Sequence, residues 1–165
     1  MLMTDVSVRR ALRPGDAEGI VALHERVYTA EYGLSQRFLE LVELALRDAL
    51  ARGWPDTGGG AWLVDRDGSL AGSLGLTDEG GGVGRVRWFV LAPELRGRGL
   101  GRSMVDSLLA DARAAGMHRL ELETFSALTA AARLYREAGF EVRWERQRSD
   151  WGPTITYQRY ELELR

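Results

Sequence analysis

The stretch Arg96-Gly97-Arg98-Gly99-Leu100-Gly101-Arg102 follows an apolar run, Trp88-Phe89-Val90-Leu91-Ala92-Pro93, and leads into a segment of helical apolar spacing. Few folds accommodate that order. Glycines on alternate residues let the backbone take tight conformations and turn successive N–H groups outward. A helix starting at the same point adds unpaired donors and a partial positive charge. Strand, amide-rich turn and helix N-terminus together make an anion site suited to a pyrophosphate, with Arg96, Arg98 and Arg102 adding charge around it. Taken alone, the stretch also reads as a ligand-free flexible turn. Two rival phosphate motifs do not fit. A Walker-type loop needs a lysine after its last glycine, and the chain contains no lysine. A dinucleotide fingerprint needs G-x-G-x-x-G, whereas the spacing here is G-x-G-x-G.

The remaining composition narrows the function classes. The 165 residues suffice for one well-cored domain, residues 1–165, and hardly for two. The net charge of -2 gives no electrostatic basis for binding nucleic acid. Without cysteine there is no disulfide, no thiolate metal site and no cysteine nucleophile, and no metal is expected. Met1 to Asp5 lacks the basic and apolar blocks of a signal peptide, and no apolar run approaches a membrane span. A cytoplasmic, bacterial protein without membrane contact is the expectation.

Along the chain, Val6 to Leu12 reads as a first strand, and Asp16 as the N-cap of a helix carrying Ile20, Val21, Leu23, His24, Val27 and Tyr28. His24 reads as a packed or half-exposed residue, because no metal-binding partner sits at matching spacing. Tyr28 to Leu34 interrupts the helix, and Ser35 caps a second helix through Arg52. Arg66-Asp67-Gly68 marks a hairpin, and Arg85 to Leu91 makes the next strand, giving a three-stranded antiparallel meander that feeds the glycine turn. After it come a helix ending at Gly116, a strand Arg119 to Phe125 parallel to the one before the turn, a short helix Thr129 to Ala138, and a final hairpin of 140–148 and 154–164.

The approach x-P-x-x-R followed by R-x-x-G-x-G, together with Ala131-Ala132-Arg133-Leu134-Tyr135-Arg136-Glu137-Ala138-Gly139-Phe140 in the form A-x-x-L-Y-x-x-x-G-F, resembles the GNAT (GCN5-related) N-acetyltransferase family over nearly the whole chain. A narrower similarity, to the acetyltransferase half of MarR–GNAT fusion proteins, is carried by His24, Tyr28 to Gly33, Phe38, Val86 to Leu91 and the hairpin strand Tyr157 to Leu164. The DNA-binding half has no counterpart in this sequence. The resemblance implies an α/β (α+β) fold, a mixed, mainly antiparallel sheet of about seven strands flanked by four helices. It implies acetyl-CoA as the acyl donor and an amine as acceptor, with a homodimer as a further possibility. It places Phe89, Val90 and Leu91 along the pantetheine arm, and Arg96, Gly97, Arg98, Gly99, Leu100, Gly101 and Arg102 around the pyrophosphate. Tyr135 corresponds to the family tyrosine that serves as general acid near the coenzyme sulfur. Two positions depart from the pattern. Leu128 stands where many members carry asparagine, and Glu123 stands where the narrower group carries a large aromatic.

The residues also bound the chemistry. With no cysteine, a covalent acyl-cysteine is excluded, and direct transfer in a ternary complex remains. Glu121 and Glu123 share a face of a strand that would otherwise read as apolar. They either border a wet cleft, with Glu123 as base, or pair with arginines such as Arg143 or Arg159. Glu31 and Tyr32 are further acceptor-side candidates. The expected activity is acetyl transfer to a primary amine of a small molecule or peptide, with a weak leaning to cationic acceptors. A non-catalytic acyl-CoA-binding sensor or partner module is the alternative.

Overall fold

A computed structural model describes residues 5–164, so the Met1 to Thr4 part of the N-terminal reading lies outside the described residues. The elements follow the expected order. β1 (Val6–Arg9) is followed by α1 (Asp16–His24), a π-helical turn (Glu25–Thr29), α2 (Ala30–Tyr32) and α3 (Gln36–Ala51). Then come β2 (Gly59–Arg66), β3 (Ser69–Asp78), β4 (Val83–Leu91), α4 (Leu100–Ala114), β5 (Arg119–Phe125), α5 (Thr129–Ala138), β6 (Glu141–Arg148) and β7 (Ile155–Glu163). The seven strands form one sheet in the order β1-β2-β3-β4-β5-β7-β6, antiparallel except where β4 meets β5. The last strand of the chain therefore inserts beside β5, and β6 forms the edge.

Local chemistry accounts for most boundaries. Asp67 and Gly68, at φ 50° and 83°, make the tight β2–β3 turn. Gly116 and Gly139 close α4 and α5 with left-handed backbone. The α4 face carrying Met104, Val105, Leu108, Leu109 and Ala112 is buried as its spacing predicts. Three local readings need correction. Asp16 is not an N-cap: Gly15 holds that position, and the Asp16 carboxylate accepts both terminal nitrogens of Arg9 at 2.9 and 3.0 Å. The break at Tyr28 is a π-turn that carries the helix on to Tyr32, where Gly33 at φ 67° ends it. Ser35 does precede α3, but its side chain makes no capping hydrogen bond.

The feature that shapes the middle of the sheet is a bulge in β4. β3 residues Ser73 and Gly75 face Val90 and Arg87, so β4 contains one extra residue there. Trp88 takes a left-handed φ of 52°, rare for a bulky side chain. Neighbouring groups fix it there. Ser73 Oγ donates to Trp88 O at 2.6 Å, and the indole packs on Trp54 with ring centroids 4.8 Å apart. Trp54 is itself anchored through Nε1 to Gly60 O and Leu76 O. Gly75 has no Cβ where one would lie 2.6 Å from the Trp88 ring. Pairing of β4 with β5 stops at Arg85–Glu121, and the rest of β4 diverges from it. We expect Gly75→Ala to displace Trp88 and close or distort this split. Its acetyl-transfer rate should fall more than tenfold, while the melting temperature drops by the few degrees typical of about 1–3 kcal/mol of overpacking. A wild-type rate in Gly75→Ala counts against the bulge as the origin of the split.

Candidate active site

The divergence of β4 from β5 opens two adjoining spaces. The larger, about 380 Å³, lies between α1, α3 and the split sheet, with Glu123 and Tyr135 in its wall. The narrower, about 230 Å³, runs along Phe89, Val90 and Leu91 to Arg96, with the start of α5 opposite. Tyr28, Phe89 and Leu128 line both spaces, so this is where they meet. The Tyr28 hydroxyl donates to Phe89 O at 2.8 Å and fixes the first helix to the strand at that junction.

The glycine turn follows directly on Arg96, which lines the narrower cleft. Gly97 and Gly99 have φ 76° and 77°, the region that favours glycine. Among the described residues no backbone carbonyl accepts from the amides of residues 97 to 102, whereas Ser103 N bonds Gly99 O at 3.1 Å. Six consecutive donors are thus available at one helix N-terminus, without any side-chain cap. Gly101 has a different role from its neighbours. A Cβ there would lie 3.1 Å from Leu134 and 3.3 Å from Phe89, so this glycine lets α4 approach α5 and β4.

Charges around the turn are largely committed. Arg96 donates twice to Glu31, at 2.8 Å each, and also reaches Leu91 O at 3.2 Å. This pair holds the Glu31 carboxyl below its ordinary range. Glu31 is therefore a clamp on the turn and does not line the larger cavity. Tyr32 lines the narrower cleft and stacks edge-on against Phe125 at 5.3 Å. Arg102 pairs with Glu137 of α5. Arg98 is exposed.

In the larger cavity, Tyr135 is buried among Phe89, Phe140 and Tyr160, at centroid distances of 6.2, 5.8 and 5.7 Å. Burial pushes its phenol well above the ordinary value of 10, with Tyr28 and Tyr160 adding to the effect. The hydroxyl makes no hydrogen bond to another described residue and is not among the buried polar atoms left without a partner. Glu121 and Glu123 separate in role. Glu121 is buried and paired with Arg85 at 2.8 Å and with Arg159. Glu123 is more exposed, accepts from the Tyr157 hydroxyl and sits 3.8 Å from Arg159. Arg143 pairs with Glu161 instead. His24 is fully packed: Nδ1 donates to Ile20 O at 2.7 Å, and burial lowers its pKa to about 4, leaving a neutral imidazole in the cavity wall.

Tyr28, Arg87, Trp151 and Tyr157 join this wall without having been read from the sequence as site residues. Tyr28 falls on a helical apolar face, where periodicity cannot separate a core tyrosine from a site tyrosine. Trp151 sits in a turn distant in sequence. Only the insertion of β7 beside β5 brings the final hairpin to the cavity.

An unpaired strand edge, the cleft beside it and a turn with free amides form the candidate site. Comparisons with known proteins identify the family. The sequence model of the acetyltransferase (GNAT) family matches residues 20–140. The uncharacterized N-acetyltransferase YjgM of Escherichia coli strain K12 is 30% identical over 137 residues, 81% of each chain. The mycothiol acetyltransferase of Thermobispora bispora is 34% identical over 142 residues, 82% of this chain but 46% of that protein. An acetyltransferase from Streptococcus agalactiae superposes with a TM-score of 0.75 at 18% identity, covering 96% of this chain and 98% of that one. An acetyltransferase from Salmonella typhimurium, solved with its cofactor acetyl-CoA, gives 0.68 at 18% identity, covering 98% and 95%. The chain belongs to the GNAT acetyltransferase family and is an N-acetyltransferase (EC 2.3.1) with acetyl-CoA as acyl donor. Among the described residues no helix is long and apolar enough to cross a membrane, and no cluster of metal-ligating side chains is present.

The two glycines give separable outcomes. Gly99→Val should reduce acetyl-CoA affinity at least tenfold in a folded protein, because the turn must leave its left-handed conformation while the space around it stays open. Gly101→Val should lower the melting temperature as well, because its side chain meets Leu134 and Phe89. Calorimetric titration beside a thermal melt checks both. Unchanged affinity in folded Gly99→Val removes the turn from the cofactor site.

Proposed function

We propose that this single-domain chain transfers the acetyl group directly to a primary amine of a small molecule or peptide, within a ternary complex. The observation that carries the reading is the meeting of the two spaces at Tyr28, Phe89 and Leu128. A donor in the narrower cleft and an acceptor in the larger cavity would come together there. Acetyl-CoA supplies an activated thioester carbonyl and a stable thiol leaving group. Phe89, Val90 and Leu91 would align the arm by strand-like pairing, and the amides of 97–102 would hold the pyrophosphate. Leu128 takes the asparagine position, so the start of α5 contributes an apolar wall to both spaces there.

The proton balance assigns two roles. Glu123 takes the first proton from the acceptor ammonium and passes it to water, freeing the lone pair that attacks the thioester carbonyl. As the C–N bond forms, the C–S electron pair moves to sulfur. Tyr135 donates its hydroxyl proton to that sulfur and is re-protonated by the second proton from the acceptor nitrogen. The products are the acetamide and the free thiol. A buried phenol remains protonated throughout the physiological range, so the donor is always loaded. Its raised pKa makes full transfer to a thiolate, of ordinary pKa about 8.5, less favourable, and the benefit should be modest. The narrower kinship with the acetyltransferase half of MarR fusion proteins rests on sequence alone, and three of the residues that carry it, His24, Tyr28 and Phe38, line the larger cavity.

Tyr135→Phe removes one hydroxyl and preserves the aromatic packing. We expect kcat to fall roughly 10²-fold, the low end for general acid catalysis, with acetyl-CoA affinity nearly unchanged. Single-turnover rates equal to wild type would make Tyr135 a packing residue. Tight acetyl-CoA binding with no turnover across an amine panel would instead favour a sensor.

A further inference from the structure

The unsatisfied polar groups of the larger cavity are all of one kind. Among the described residues, five buried side-chain polar atoms have no hydrogen-bond partner, and three belong to residues lining this cavity: Arg85 Nε, Arg87 Nε and Trp151 Nε1. Each is a donor. Buried donors without acceptors are costly and uncommon, so the wall of this cavity is rich in donors and poor in acceptors.

Charge bookkeeping singles out Arg87. Glu79 lies near three guanidiniums, with Arg87 at 3.1 Å, Arg85 at 3.5 Å and Arg52 at 4.0 Å. Arg85 has a second carboxylate in Glu121, and Arg52 has one in Asp48 at 3.0 Å. Arg87 has only its share of Glu79 among the described residues. Burial and the neighbouring Arg85 lower its pKa, consistent with an under-compensated cation. The one carboxylate in the cavity wall, Glu123, is engaged by Tyr157 and Arg159. Arg148 also lines the cavity, but its charge is matched by two hydrogen bonds to Asp150. An acceptor of high positive charge would thus meet the under-compensated Arg87 and a carboxylate already engaged. The acceptor's apolar part would meet Phe38, Trp88, Phe125 and Trp151.

We propose that the acceptor is an amino acid with an aromatic or large apolar side chain, its carboxylate held by Arg87 and its amine presented where the two spaces meet. This inference rests on the acetyltransferase reading above and reverses the leaning toward cationic acceptors. An Arg guanidinium offers N–H groups to a planar carboxylate, and Arg87 commits Nη2 to Glu79 while Nη1 has no partner among the described residues.

The test compares phenylalanine, tyrosine, tryptophan, leucine and methionine with their carboxamides, and with spermidine, in a thiol-release assay with acetyl-CoA. Free acids should exceed their amides at least tenfold in kcat/KM, and spermidine should be poorest. Arg87→Gln should raise KM for the best acid roughly 10- to 100-fold with kcat little changed, as expected for one lost charge-assisted contact, and should collapse the acid-over-amide preference. A loss confined to folding would lower both substrates alike and would not touch that ratio. Calorimetric titration of N-acetylphenylalanine and N-acetylphenylalaninamide supplies an arm that needs no turnover. Preferential binding of the acid, abolished in Arg87→Gln, supports the inference even if no amine is acetylated and the catalytic reading fails. Equal treatment of acids and amides in both arms, preference for spermidine, or an unchanged KM in Arg87→Gln overturns it.

Discussion

The separation of β4 from β5 depends on one strained residue. A bulky side chain at φ 52° persists only where its surroundings leave no better alternative. Here Ser73 holds the Trp88 carbonyl, Trp54 packs on the indole, and Gly75 leaves the volume the ring occupies. The extra residue turns β4 away just past the Arg85–Glu121 pair. That turn creates the unpaired strand edge, the cleft beside it and the cavity beyond it. The local strain and the two binding spaces therefore share a cause.

The two spaces are tied by contacts from the first helical segment. Tyr28 bonds the Phe89 carbonyl, and Glu31, one turn further, clamps Arg96 at the entry to the glycine turn. The π-turn between His24 and Ala30 sets the angular offset between these residues and the preceding helix face. The same short segment thereby contributes to the wall of the larger cavity and to the geometry of the turn. Movement of α1 would be felt in both spaces.

The two glutamates of β5 illustrate how position sets chemistry. They lie two residues apart and share a face, but Glu121 stands where the strands still pair, beneath Arg85 and Arg159. Glu123 stands beyond the split, where the neighbouring strand has withdrawn and the carboxylate reaches the cavity. One becomes a buried structural anion and the other a carboxylate in the cavity wall, bonded by Tyr157.

The sequence by itself determined the element order, the meander, the parallel crossover after the turn and the left-handed glycines at 97, 99, 116 and 139, because these follow from local periodicity and backbone sterics. It also located the glycine turn and the strand before it as structural elements. Only the tertiary structure decided which charges are free. Arg96 and Glu31, separated by 65 positions, cancel each other; Glu121 is spent on Arg85 and Arg159; Gly101 serves packing. Tyr28, Arg87 and Trp151 come to line one cavity because β7 inserts beside β5 and β4 bulges at Trp88. Both are long-range consequences of packing, and neither leaves a signature in the spacing of residues along the chain.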